Sequence, residues 1–176
     1  MGKVFFKEEQ KFGSMPLYLG MGLIYASTII IFVFAMYSQF VLNEPWGDKP
    51  ISDKGLLLTF ILVMAVLVAS AYMLFGSKLV VQVTHQSIFI AFWPYFTKPK
   101  IYLGKDIDRF EIRKYKPIKE YGGWGVKQGK KSIGKAFNVS GNIGLQLYLK
   151  NGRKVLIGTQ RGNAILRAMK KMMENS

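Results

Sequence analysis

No cysteine occurs in this chain, and histidine occurs once, as His85. Disulfides, thiolate metal sites and histidine clusters are therefore excluded. Charge is also missing in two places. Between Lys11 and Glu44, and again between Lys54 and Lys78, there is no charged side chain. The apolar stretches inside those gaps, 17–42 and 56–75, each reach the roughly 20 residues that a helix rising ~1.5 Å per residue needs to cross a ~30 Å hydrocarbon layer. Hydrocarbon offers the backbone no hydrogen-bond partner, so such runs must be helical. Burial in a soluble core is the weaker alternative, because a chain of 176 residues could not wrap two helices that are apolar on every side. The first run also exceeds the ~7–15 residues of a secretory signal and lacks a small-residue cleavage site, so it is expected to remain as an anchor.

Acids are scarce: 10 Asp and Glu stand against 25 Lys and Arg, and the imbalance is local. Before residue 78, Lys3, Lys7, Lys11, Lys49 and Lys54 are balanced by Glu8, Glu9, Glu44, Asp48 and Asp53, so the net charge of +15 falls entirely in 78–176. Lys3, Lys7 and Lys11 precede the first run and Lys78 follows the second, whereas the loop between them carries more acid than base. That bias places both termini and the basic domain in the cytoplasm. Ser14 and Pro16 suit the start of the first helix. Asn43, Pro45, Gly47 and Pro50 suit a tight loop between the two. Neither run contains an ionisable side chain, which argues against a transport path. Gly22 with Ala26, and Ala65 with Ala69, are small-residue pairs expected to seat the helices together.

After Lys78 the pattern alternates. Residues 79–84, 87–93, 100–103, 107–115, 136–139, 145–150 and 153–159 read as strands rich in β-branched and aromatic residues, and Asn151-Gly152 is a strong hairpin turn. A helix closes the order: Thr159 can cap it, and Ile165, Leu166, Met169, Met172 and Met173 share one face. The expected organisation is an N-terminal segment (1–14), a transmembrane helix (15–42), an external loop (43–54), a second transmembrane helix (55–77) and a cytoplasmic domain (78–176). That domain has about seven antiparallel strands closed by a C-terminal helix.

The stretches Glu120-Tyr121-Gly122-Gly123-Trp124-Gly125-Val126, Ala136-Phe137-Asn138-Val139-Ser140-Gly141, Gly144-Leu145-Gln146-Leu147 and Ile157-Gly158-Thr159 carry a family resemblance. Together they resemble the soluble domain of small, two-span bacterial membrane proteins with a pleckstrin-homology-like fold. The resemblance covers roughly 78–176 and implies a fold and a binding-type role, with no activity, cofactor or site residue to carry over.

The glycine-rich run 122–144 lacks a Gly-Lys-Ser/Thr ending and a following helix, so its glycines are expected to make turns and bulges rather than cradle phosphate. Trp124 reads as a packed side chain between glycines. Two basic clusters stand out, Arg113/Lys114/Lys116/Lys119 and Lys127/Lys130/Lys131/Lys135. A tethered domain beside an anionic leaflet gains ~1 kcal/mol for each Lys or Arg held near the surface. Nucleic acid is the rival partner, disfavoured by the absence of any recognition-helix, RNP or KH pattern.

If 79–84 runs outward from the membrane, 87–93 must run back, bringing the turn Trp93-Pro94-Tyr95-Phe96 to the bilayer. The expected lipid contacts are therefore Lys127, Lys130, Lys131, Lys135, Trp93, Tyr95 and Phe96. Asp106 and Asp108 read as surface carboxylates on one strand face, and His85 as a solvent-facing turn residue. Asn138-Val139-Ser140 matches a glycosylation sequon that would face the cytoplasm. No catalytic constellation, metal site or cofactor motif is present.

The reading is a non-catalytic binding or scaffolding module of the bacterial inner membrane. Its partners would be the bilayer, anionic headgroups and a protein not identifiable from sequence. The alternative is an accessory subunit of a membrane enzyme or transport complex.

Overall fold

The two charge-free runs fold as helices in the computed structural model, which describes residues 3–13, 15–129 and 132–174. Helix α1 spans Met15–Phe40 and α2 spans Asp53–Phe75, and with their loop they form a compact unit, Gly13–Phe75. Ser14 lies outside the described residues. Shielded positions recur alternately four and three apart, at Met21, Tyr25, Thr28, Phe32, Ala35 and Gln39 on α1 and at Leu56, Phe60, Val63, Leu67 and Ser70 on α2. That spacing is the seam of a packed helix pair. Across it Tyr25 Oη lies 2.6 Å from Ser70 Oγ, and the Phe32 and Phe60 rings are 5.6 Å apart. Gln39 Nε2 donates to Ile51 O (3.0 Å) and Asp53 Oδ1 (2.8 Å), closing the loop end.

The small-residue pairs do not form this seam. Gly22, Ala26, Ala65 and Ala69 are all exposed, because Met21, Tyr25, Met64 and Ser70, one position away, take the shielded places. The remaining surface is apolar and bare, with Leu23 72% and Val66 66% exposed. Both helices are long and apolar enough to cross a membrane.

The second unit combines Met1–Phe12 with Gly76–Ser176. Its first sheet contains β1 (Val4–Lys11), β2 (Lys78–Thr84), β3 (Ser87–Trp93) and β4 (Phe96–Leu103) in that spatial order, each antiparallel to the next. The second contains β5 (Ile107–Lys114), β6 (Gly125–Gln128), β7 (Lys135–Asn138), β8 (Ile143–Leu149) and β9 (Lys154–Gly158), ordered β5-β8-β9-β7-β6. A short helix α3 (Pro117–Tyr121) precedes β6, and α4 (Gly162–Glu174) follows β9.

Three expectations change. Among the described residues the strands number nine rather than about seven. They are not all antiparallel, since β7 runs parallel to β9. Residues 1–14, expected to lie outside the domain, include β1, so the β unit is assembled from chain on both sides of the helical hairpin.

The core lies under the inner faces of the sheets and α4. Leu79, Val81 and Val83 alternate inward from β2, Ile88, Ile90 and Phe92 come from β3, and Ile165, Met169 and Met172 come from α4. Leu166, expected on the buried face, is only half-shielded, and Ala168 takes its place. Strand β8 is buried on both faces because a second cluster of Tyr115, Tyr121, Ala136 and Leu156 covers the sheet's other side.

The inward face of β1 is Phe6, Glu8 and Gln10. Glu8 Oε2 accepts from Thr159 Oγ1 at 2.5 Å and Oε1 from Gln160 N at 2.9 Å, while Gln10 Nε2 donates to Gly158 O at 2.8 Å. Thr159 Oγ1 in turn accepts from Arg161 N at 3.0 Å. A buried carboxylate thus stands at the positive end of α4, where the helix dipole favours negative charge.

Candidate functional site

The motifs that carry the family resemblance build architecture. Gly122 ends α3 in the left-handed conformation (φ 71°), its N–H donating back to Ile118 O and Pro117 O. Glu120 accepts from Lys116 N at 2.7 Å and from Arg113 Nη2 at 2.8 Å. Burial pushes the Glu120 carboxyl up, but the Arg113 guanidinium and the Lys116 N–H outweigh it and hold the group below the ordinary carboxylate range. Burial raises the Tyr115 and Tyr121 phenols.

Asn138 is fully buried; its Oδ1 accepts from Gly125 N (3.0 Å) and its Nδ2 donates to Tyr115 Oη (2.9 Å). With both amide atoms engaged inside the fold, the sequon offers no glycan acceptor. Gly134 (φ 86°) belongs to a turn so close to β9 that a Cβ there would run into the Lys154 carbonyl. Trp124 differs from its expected packed role: it is 40% exposed, held by a bond from Nε1 to Gly141 O of 3.1 Å.

The two aspartates and the histidine do not converge. Asp106 falls in a 3-10 turn (Gly104–Asp106) ahead of the strand that bears Asp108, so the pair shares no strand face. His85 occupies the β2–β3 turn, half-buried rather than facing solvent. Among the described residues no group of three His, Asp or Glu could hold a metal ion.

The expected lipid contacts separate into two places. In the register of the first sheet Lys11 pairs with Lys78, and Lys78 pairs with Trp93. The end of the sheet where the chain continues toward α1 and arrives from α2 therefore also carries the β3–β4 turn. There Trp93 is 48% and Tyr95 40% exposed. Phe96, expected beside them, instead turns inward, its ring 5.8 Å from Phe137 and 6.4 Å from Phe92. Phe96 is half-buried and packs against the core, because the first position of β4 faces the space between the sheets.

Lys127 joins the aromatic turn: a Cβ at Gly125 would stand 3.8 Å from Tyr95 Oη and 3.9 Å from Lys127 Cε. Lys135 does not. It pairs with Gln128 at the other end of the β6–β7 ladder and lines a cavity with Lys100, Tyr102 and Arg153. Lys130 and Lys131 lie outside the described residues.

Sequence reasoning missed a second basic surface, a cavity between β1 and α4 lined by Lys3, Lys7, Arg161, Arg167 and Lys171. Ala164, Arg167, Ala168 and Lys171 recur along one side of α4 with Arg161 just ahead of it, a signal that was legible once Val4–Lys11 was known to be a strand.

No family model, curated protein or solved structure matches this chain.

Proposed function

We propose that the chain is a two-span protein of the bacterial cytoplasmic membrane, with both termini cytoplasmic, whose β unit is a non-catalytic binding or scaffolding module of pleckstrin-homology-like fold facing the lipid surface. The fold assignment draws support from two packed sheets closed by a C-terminal helix. One observation carries the functional reading: the alignment of Lys11, Lys78 and Trp93 at a single sheet end. Both chain connections to the apolar helices leave from that end, so the exposed rings of Trp93 and Tyr95 are tethered within a few residues of the spans. Trp and Tyr favour the headgroup region, where an apolar ring and a polar edge are both satisfied. Lys11 and Lys127 add attraction for anionic lipid, whereas Lys78 is paired with Glu9 at 2.6 Å.

In a Trp46→Phe, Trp124→Phe background, Trp93 is the sole tryptophan of the full chain. Reconstituted in bilayers whose lipids carry bromine high on the acyl chain, Trp93 fluorescence should fall by about half or more, as for a ring resting at the interface. Emission that brominated lipid leaves unchanged would remove the turn from the bilayer and, with it, the lipid-surface reading.

A further inference from the structure

The cavity between β1 and α4, about 620 Å³, lies within the usual size range of small-molecule sites. Cations stand on both walls: Lys3 just ahead of the strand and Lys7 on it, Arg161 just ahead of the helix and Arg167 and Lys171 on it, with no acid among the lining residues. Ala164 and Ala168 keep the floor between them low. One of the cations is already placed by the fold: the Arg161 guanidinium lies 5.4 Å from the Phe6 ring centroid and Nη1 donates to Lys7 O at 3.4 Å. Lys7 is drawn partly aside by Glu9, 3.2 Å away on the strand's outer face. None of the described ion pairs involves Lys3 or Arg167.

Like charges gathered around one concavity repel one another, and an anion entering it relieves that repulsion. Arginine's planar fork matches phosphate oxygens two at a time.

The cavity is also set back from the membrane tether. Its strand residues pair with the Gln82–Thr84 end of β2, whereas the chain leaves for the helices at Lys11 and Lys78. Seven residues of strand separate Val4 from Lys11, roughly 23 Å at ~3.3 Å per residue.

We infer that this cavity is a binding site for a ligand bearing two or more clustered phosphate groups. The inference deepens the binding-module reading by naming a ligand class, and it stands apart from the insertion of the Trp93 turn. A diphosphate or triphosphate offers oxygens to cations on both walls at once, more than a single carboxylate carries. A soluble phosphorylated compound and a lipid headgroup present the same chemistry here, and the test separates them.

The test uses the full chain in nanodiscs of neutral phosphatidylcholine, titrated with inorganic tripolyphosphate at low salt. Binding is read by calorimetry and by a rise in the unfolding temperature. Arg167→Ala should weaken binding about tenfold, the loss of one charge-assisted contact. Arg153→Ala, at the other basic cavity, should leave it unchanged. Arg167 is exposed on α4, so the variant should melt like the parent without ligand. A parallel arm replaces tripolyphosphate with phosphatidylglycerol vesicles added to the chain. Vesicle binding that Arg167→Ala abolishes, without tripolyphosphate binding, would place the phosphates on lipid. Absence of binding in both arms would overturn the site, as would equal losses from Arg167→Ala and Arg153→Ala, which would signify only general attraction to a basic surface. The Trp93 quenching result is unaffected by either variant, so failure here is separable from failure of the membrane-facing reading.

Discussion

Residues 76–176, expressed without the N-terminal strand, should show no cooperative unfolding transition. Phe6, 5% exposed, fills the edge of the core, and its loss removes about 1.5–3 kcal/mol of burial. Removing Glu8 and Gln10 also strips partners from the Thr159 hydroxyl, the Gln160 N–H and the Gly158 carbonyl. The Gly158 bond contributes about 0.5–1.5 kcal/mol net, and each of the two bonds to the Glu8 carboxylate about 1.5–3 kcal/mol. Together these losses are on the order of 5–10 kcal/mol, comparable with the whole stability of an ordinary domain. The same fragment with residues 3–12 joined ahead of it by a short flexible linker should recover a sharp urea transition and a near-ultraviolet circular dichroism signal. The linker has little to span, because Lys11 is paired directly with Lys78. A sharp transition in the bare fragment would show that β1 is dispensable.

The second large effect separates adjacent positions of α4. Ile165 is fully buried beneath the sheets, whereas Leu166 beside it is only half-shielded. Ile165→Asp removes a packed side chain, which costs about 2–5 kcal/mol, and also places an unpaired carboxylate in the apolar core. The β unit should not fold with this substitution. Leu166→Asp should lower stability by about 1–2 kcal/mol and leave the fold intact, since its carboxylate can turn to water. Near-ultraviolet circular dichroism of the full chain in detergent reads both. Equal effects at the two positions would mean that α4 is rotated from the orientation described.

The sequence revealed those parts of the fold whose side chains follow a single rule. The helices are legible because charge is absent for longer than a helix needs to span hydrocarbon. Strands β2 and β3 are legible because Leu79, Val81, Val83 and Ile88, Ile90, Phe92 keep period two. The β8–β9 hairpin announces itself in Asn151-Gly152, where Gly152 takes φ 79°.

Strand β1 was hidden because two of its three buried side chains, Glu8 and Gln10, are polar. Only partners some 150 residues away, at Gly158, Thr159 and Gln160, make their burial tolerable. Strand β6 was hidden because it is only 4 residues long and opens on Gly125, whose conformation (φ 113°) is fixed by the distant Asn138. The parallel pairing of β7 with β9 is non-local, and nothing in either segment encodes it.

The candidate surface was half legible for the same reason. Period-two counting brought Trp93 and Tyr95 to the sheet end that carries Lys11 and Lys78, but it could not show Phe96 turning inward or Lys135 parting from Lys127. The β1–α4 cavity was invisible while residues 3–7 were read as a free segment.

Because the chain has no cysteine, single introduced thiols test the central proposal without background. In intact cells a membrane-impermeant maleimide should label Asp48→Cys, in the loop between α1 and α2. It should reach Val4→Cys, at the start of β1, and Lys150→Cys, in the β8–β9 turn, only after the membrane is permeabilised. Labelling of Lys150→Cys in intact cells would contradict the cytoplasmic placement of the β unit, and labelling of Val4→Cys and Lys150→Cys from opposite sides would contradict the pairing of β1 with β2 across a two-span hairpin.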